Sequence, residues 1–435
     1  MKASSAVETG LAVVDLARGG RFTAIRDLFA PQLRTLASAE MLAAAWEAAI
    51  GRAGAVTGVG TPFEESSPGH GAVVKVPLAC EQGALTLVVA VTDAGALAGL
   101  QLLPGESGPA APWTAPEYAD RAAFDEADVI LGSGPLAVPG TLSVPRGQHA
   151  LPGVVLLAGS GPNDRDETIG PNKPFRDLAW GLASSGVAVL RFDKVTHAHP
   201  AEVRSAVGFT LTDEYVPHAI AGVELLRRHP AVDAARVFVA GHSLGGTVAP
   251  RVAAAAPSVA GLVILAGGTE PLHWVLVRQV RHLASLDPAT AAASEPVIQA
   301  LTAQAQLVDS PALTRSTPAS ELPAGLPASY WLDLRDYDPA GTAAGLGRPI
   351  LVLQGGRDYQ ATVADDLPRW QAALADRPDA TIRIYPEDDH LFVAGSGQST
   401  PAETLSPHHV DPRVVADIAA WLKATRISLA GAHEH

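Results

Sequence analysis

Residues 238–246 read FVAGHSLGG, and the reading of this stretch decides the fold. An apolar run ends on Ser243, glycines stand two residues away on either side, and the small-residue segment TVAPRVAAAA follows at 247–256. Two readings compete: an ordinary strand-to-helix connection, or a sharp turn that lifts a nucleophilic serine out of a sheet. The Gly-x-Ser-x-Gly pattern alone is weak, because glycine and serine are common. Its setting strengthens it. Gly241 and Gly245 leave room where a strand and a helix must pack closely around a strained residue. The helix N-terminus behind the serine favours developing negative charge.

Outward from this point the chain alternates. Strand-like VVLLAG (154–159), VAVLRFD (187–193), RVFVAG (236–241), GLVILAGG (261–268), PILVLQGG (349–356) and TIRIYP (381–386) are separated by helix-like stretches such as KPFRDLAWGLASSG, EYVPHAIAGVELLRRH and VADDLPRWQAAL. Several of these strands are apolar on both faces. That predicts an α/β fold with a mostly parallel central sheet covered by helices on both sides. About 80 residues separate Gly268 from Pro349 and are largely helix-like, so a helical cap insertion is expected at about 269–348. Residues 1–103 read differently, helices first and then four strand-like runs joined by short turns, a small α+β domain with a meander. The Pro-, Gly- and Ala-rich segment 104–120 reads as a linker, leaving 121–435 for the α/β domain.

Composition narrows the function classes. Of 435 residues 47% are hydrophobic and 17% charged, ample for a core, and no apolar run reaches the roughly 18 residues of a membrane span. The first twenty residues carry acidic groups inside their apolar pattern, unlike a secretory leader, which predicts a cytoplasmic protein. The net charge of -14 and the lack of basic runs argue against nucleic acid as a partner. Cys80 is the single cysteine, which excludes an intrachain disulfide and a cysteine-cluster metal site. His197 and His199 have no third ligand at recognisable spacing and read as a polar loop, so no metal is expected.

A serine hydroxyl needs a base, and the base needs an orienting acid. On this type of sheet the order is serine, acid, histidine, each partner on a loop after a later strand. Asp358 follows the strand PILVLQGG and His390 follows TIRIYP, which makes Ser243, Asp358 and His390 the candidate catalytic set. Asp388 and Asp389 share the histidine's loop and read as shaping it; Asp365 and Asp366 are expected on a helix. His242 abuts the serine, with its side chain expected to point away. For the oxyanion, the backbone N–H of Leu244 and that of Ser160, in the glycine-containing loop after VVLLAG, are the expected donors. Asn163, Asp164, Arg165 and Asp166 read as a loop salt bridge, with a polar rim of the site as the alternative. Trp274, Tyr330 and Trp331 in the cap either line a substrate pocket or anchor the cap to the core.

These residues resemble the α/β-hydrolase superfamily. More narrowly, GSGPNDRDETIGPNKPFRDLAWGLASSGVAVLRFDK, GHSLGG, LVLQGGRDYQ and HLF resemble bacterial serine esterases, related to dienelactone-hydrolase-like proteins, that carry an additional N-terminal domain. The resemblance covers essentially the whole chain, and it implies the same nucleophile, acid and base. Where many hydrolases have His-Gly before the oxyanion loop, this chain has Ala158-Gly159, which leaves a backbone donor unaffected. The N-terminal part is similar to a small, cone-like α+β domain that precedes such esterases. It offers no catalytic set, since His70, Glu64 and Glu65 read as surface.

The implied activity is hydrolysis of neutral carboxylic esters through an acyl-enzyme, with no cofactor and a small-molecule ester as partner. A peptidase, an acyltransferase or cyclase, and a binding protein on a hydrolase fold are the alternatives. Neither the acyl chain length nor the oligomeric state, a homodimer among the options, is readable from the sequence.

Overall fold

The computed structural model describes residues 6–66, 72–92, 95–104, 113–286 and 288–425. It forms two compact units, one of Met1–Ala111 with Leu276–Leu326, the other of Pro112–Val275 with Pro327–His435.

The first unit holds the helices Ala6–Arg18, Phe22–Asp27, Pro31–Leu36 and Ala39–Ala53, followed by strands β1 (Val56–Val59), β2 (Phe63–Ser66), β3 (Ala72–Cys80), β4 (Gly83–Val91) and β5 (Leu97–Pro104). Their order is β1-β3-β4-β5, with β2 also on β3, and every pairing is antiparallel. The first strand-like run thus divides into two short strands, and the other three form the expected meander. Alternate residues of β3 and β4 (Val74, Val76 and Leu78; Leu85, Leu87 and Val89) face a core shared with Val13, Val14 and Ile25 of the helices and with Phe29, which bridges to Leu97. Ser38 caps the fourth helix by accepting from Met41 N–H. Glu64, Glu65 and His70 have side chains outside the described residues.

The second unit contains an eight-stranded sheet. Its strands are β6 (Phe124–Leu131), β7 (Val138–Pro145), β8 (Leu151–Leu157), β9 (Ala188–Phe192), β10 (Val232–His242), β11 (Leu262–Leu265), β12 (Ile350–Gly355) and β13 (Ala380–Tyr385). The order is β13-β12-β11-β10-β8-β9-β7-β6. From β9 through β13 every neighbouring pair is parallel, while β7 and β6 are added antiparallel at one side. All residues of β8, β9, β11 and β12 are buried, as strands covered on both faces must be. The edge strand β6, FDEADVIL, alternates exposed and covered residues and carries three acidic side chains, a device that discourages edge pairing.

Two boundaries differ from the sequence expectation. The segment expected to cap the α/β domain is helical (Leu272–Ser285, Pro288–Asp309), but its middle, Leu276–Leu326, belongs to the unit of the N-terminal residues. The helix Pro288–Asp309 packs against Pro31–Leu36 and Ala39–Ala53. Its apolar side therefore finds partners remote in sequence, which a cap reading did not supply. The second boundary is the linker. Trp113, inside it, is docked: its indole N–H donates to Asp177 Oδ1 at 2.8 Å, its ring meets Trp180 edge-on at 5.0 Å, and Arg176 covers it at 4.3 Å. Among the described residues no helix is long and apolar enough to cross a membrane.

Candidate active site

β10 ends at His242, and the helix Leu244–Ala255 begins one residue later. Ser243 between them has φ 53° and ψ -121°, a region that costs a non-glycine residue about 1–3 kcal/mol and persists only where the surroundings impose it. They do so here. Ser243 N–H donates to Leu265 C=O of β11 at 2.8 Å, and Thr247 N–H donates to Ser243 C=O at 3.0 Å. The glycines are sterically required: a Cβ at Gly241 would lie 2.1 Å from Gly245 O, and one at Gly245 would lie 2.1 Å from Leu157 O. The serine itself stays partly exposed.

The acid and the base come together. His390 Nδ1 lies 2.7 Å from Asp358 Oδ2, both side chains buried. The other oxygen of Asp358 accepts from Gln360 N–H at 2.7 Å and Ala361 N–H at 3.0 Å, so the carboxylate is fixed by its own loop. Gln354, a buried amide in the otherwise apolar β12, donates to Asp358 Oδ2 at 3.1 Å. Its role is invisible in the sequence except as one polar residue in a buried strand. Asp389 accepts from Leu391 and Val393 N–H and shapes the histidine's loop as expected. Asp365 and Asp366 precede the helix Leu367–Leu374 instead of lying on it, because Asp366 accepts from the amides of Thr362, Thr269 and Glu270.

The loop after β8 reaches the serine. A Cβ built on Gly159 would stand 3.2 Å from Ser243 Cβ. Among the described residues nothing accepts from Ser160 N–H, and Leu244 N–H is one of the donors that a helix N-terminus leaves over. Behind the loop sits a set of bonds that sequence reasoning missed. Gly159 C=O accepts from Lys194 Nζ at 2.8 Å and Tyr215 Oη at 2.9 Å, and Lys194 is paired with Glu214 at 2.9 Å. Burial lowers the Lys194 pKa, with Glu214 acting in the opposite direction. Arg165 and Asp166 do form salt bridges, with Asp193 and Arg191 at or beside β9. Burial opposes the Asp166 charge, but Arg191 and Lys173 outweigh it and hold its pKa below the ordinary value.

His242 does not sit idle. Its Nδ1 lies 3.0 Å from Glu167 Oε1 and its Nε2 lies 2.9 Å from His390 C=O. His197 and His199 each face a backbone carbonyl, those of Pro162 and Ala137. Of the three cap aromatics, Trp274 stays partly exposed, whereas Tyr330 and Trp331 are 4% and 0% exposed. Tyr330 donates to Glu214 Oε2 at 2.8 Å, and Trp331 packs edge-on against His273 at 5.9 Å. These two are held by contacts within their unit. A phenol hydroxyl that finds a buried carboxylate is more stable there than facing an apolar cavity.

One carboxyl near the site is poorly accommodated. Asp388 is fully buried, with Arg413 at 3.5 Å and the Asp411 carboxylate beside it; burial, reinforced by the Asp411 carboxylate and countered by Arg413, pushes its pKa up to about 7. A carboxyl whose folded pKa is raised favours folding while protonated, so that contribution is present below its unfolded pKa near 4 and lost as pH rises toward 7. Asp388→Asn is therefore expected to melt several degrees above wild type at pH 8 and close to it at pH 5. Equal differences at both pH values in thermal melts would contradict this.

A family profile described as serine aminopeptidase, S33, matches residues 173–394. Esterase EstD of Thermotoga maritima is 35% identical over 342 residues, which cover 79% of this chain and 77% of that protein. Among solved structures, an esterase of Pyrococcus furiosus aligns with TM-score 0.43 at 14% identity, over 73% of this chain and 98% of that one. Est1E from Butyrivibrio proteoclasticus aligns with TM-score 0.43 at 16% identity, over 68% and 99%.

Proposed function

This chain belongs to the α/β-hydrolase family, and from that premise we propose that it is a carboxylesterase acting through Ser243, His390 and Asp358. The observation that carries the reading is the 2.7 Å bond between His390 Nδ1 and Asp358 Oδ2, on loops after adjacent strands of the sheet whose elbow carries Ser243. With Nδ1–H donated to the carboxylate, the free Nε2 is the base. It takes the Ser243 proton as the oxygen attacks the ester carbonyl, and the amides of Leu244 and Ser160 hold the oxyanion. His390 then protonates the departing alcohol, leaving an acyl-Ser243, and activates the water that releases the acid. Asp358 stabilises the transient imidazolium. No step calls for a cofactor.

The relative named as an esterase supports ester cleavage, while the family description names an aminopeptidase. An aminopeptidase must hold the substrate's ammonium group, which calls for an accessible carboxylate. The buried carboxylates of Asp358 and Glu167 are both engaged by histidines. Neither of these two is available to an ammonium group, and the ester reading rests on the relative named as an esterase.

Fluorophosphonate is expected to label Ser243, and p-nitrophenyl esters are expected to turn over at least about 100-fold faster than aminoacyl p-nitroanilides. A series of acyl chains, with lactone and thioester analogues, ranks the substrates. Preferential anilide cleavage would move the reading to a peptidase, and transfer of the acyl group to an added alcohol in place of acid release would move it to an acyltransferase. Unlabelled protein with no turnover would leave a binding protein on this fold.

A further inference from the structure

We propose that His242 and Glu167 form a buried ion pair that positions the oxyanion loop and the loop of the catalytic histidine against the Ser243 elbow. The inference rests on the triad reading above. Neither side chain acts on the substrate; both are positioning residues.

Three of the four proposed catalytic pieces leave the sheet on the loops after β8, β10 and β13. Glu167 and His242 connect them. One oxygen, Glu167 Oε1, accepts from Gly159 N–H at 2.6 Å and faces His242 Nδ1 at 3.0 Å. Gly159 directly precedes the proposed donor Ser160. On the other side of the ring, Nε2 meets His390 C=O at 2.9 Å. A carbonyl oxygen only accepts, so Nε2 carries a proton. Nδ1 faces Glu167 Oε1, which also accepts from Gly159 N–H; with Glu167 ionised, the proton of that contact rests on Nδ1. The ring is then an imidazolium and Glu167 its counterion.

The surroundings agree with that proton count. Burial disfavours a charge on His242, yet Glu167, with the His390 carbonyl and the Asp358 carboxylate, outweighs it and raises the pKa of His242. The other groups about the pair are the His390 ring at 4.8 Å, the apolar Phe175 ring at 6.4 Å, and the Lys194 ammonium and Tyr215 phenol, which sense Glu167. Glu167 also holds φ 53°, a strained backbone setting that would relax if nothing required it. Buried ion pairs seldom improve stability over apolar packing, so a pair placed here is better accounted for by the geometry it imposes. The bonds it makes run to the backbone of the oxyanion loop and of the base's loop, where a misplacement of about 1 Å costs roughly 100-fold in rate.

Two measurements test this. In the wild-type protein labelled with 13C and 15N, the His242 ring signals, assigned by through-bond correlation to their own backbone, are expected to show both ring nitrogens protonated at pH 7.5. A neutral ring overturns the proposal, whether or not any variant folds. In Glu167→Gln and His242→Gln, kcat per burst-titrated active site is expected to fall about 10- to 100-fold with KM within about twofold. The double variant should lose no more than the worse single one, because the two act as a unit. Single variants within about threefold of wild-type kcat, or losses that multiply in the double variant, also overturn it. Failure of the triad reading would look different: wild-type Ser243 would resist fluorophosphonate, while the NMR result would stand by itself.

Discussion

Ser243→Ala is expected to lower kcat for p-nitrophenyl butyrate by at least about 10⁴-fold and to abolish fluorophosphonate labelling, with the melting temperature changed by no more than a few degrees. The size follows from the role. Removing Oγ removes the acyl-enzyme route, and what remains is whatever the oxyanion donors and substrate binding provide for attack by water. The stability expectation follows from the backbone. Ser243 holds φ 53° because Leu265 C=O and the helix Leu244–Ala255 fix both of its ends, and alanine meets the same constraint with the same Cβ. Asp358→Asn should produce a loss of similar order with a different cause. An amide in place of the carboxylate presents an NH2 or a weaker acceptor to Nδ1, so His390 no longer holds the tautomer that leaves Nε2 free. Turnover within about tenfold of wild type in Ser243→Ala, measured on protein free of contaminating esterase, would remove Ser243 from the mechanism. Loss of turnover in that variant accompanied by loss of the folded state would show that the elbow, not the hydroxyl, had been disturbed.

The second large effect is on folding. Gly245→Ala is expected to cost more than about 4 kcal/mol, enough to leave little folded protein. The added methyl would stand 2.1 Å from Leu157 O and 2.7 Å from Ala158 O, both backbone atoms at the end of β8, so no side-chain rotation relieves the clash. β8 is buried along its whole length and paired on both sides, by β9 and β10, and cannot retreat. Gly51→Ala provides the contrast. It lies within the helix Ala39–Ala53 with nothing within 4 Å of its added Cβ, and should stabilise by up to about 1 kcal/mol through helix propensity alone. Chemical denaturation of both variants checks the pair. A Gly245→Ala protein that melts within a few degrees of wild type would mean that strand and helix do not approach as closely as these distances require.

The parts of the fold that were legible share a physical cause. β8, β9, β11 and β12 are short, mostly apolar runs because parallel strands covered on both faces leave few positions for polar residues. The elbow and the two later loops were legible because the chemistry demands a fixed residue type at a strand's end, which makes a pattern with few accidental matches. β6 and β7 are hard to read in the sequence because FDEADVIL and VPGTLSVP mix acidic residues, proline and glycine into strands that sit at the edge of the sheet or next to it. The helix Pro288–Asp309 was legible as a helix but not by its partners, since amphipathic spacing says that a face will be covered and not by what.

What the sequence alone determined is the local chemistry: a serine that only glycine neighbours at 241 and 245 permit, an acid and a histidine each following a strand, and a glycine-containing loop able to approach them. Tertiary structure alone decided the connections among them. Gln354 is a polar intrusion in a strand until Asp358 turns back over it, and Tyr330 is an apolar-pocket candidate until Glu214 receives its hydroxyl. His242 reads as a bystander until Glu167, 75 residues before it, and the carbonyl of His390, 148 residues after it, meet its two nitrogens. A hydrogen bond depends on a distance of about 3 Å between groups that spacing along the chain does not encode, and only folding sets that distance.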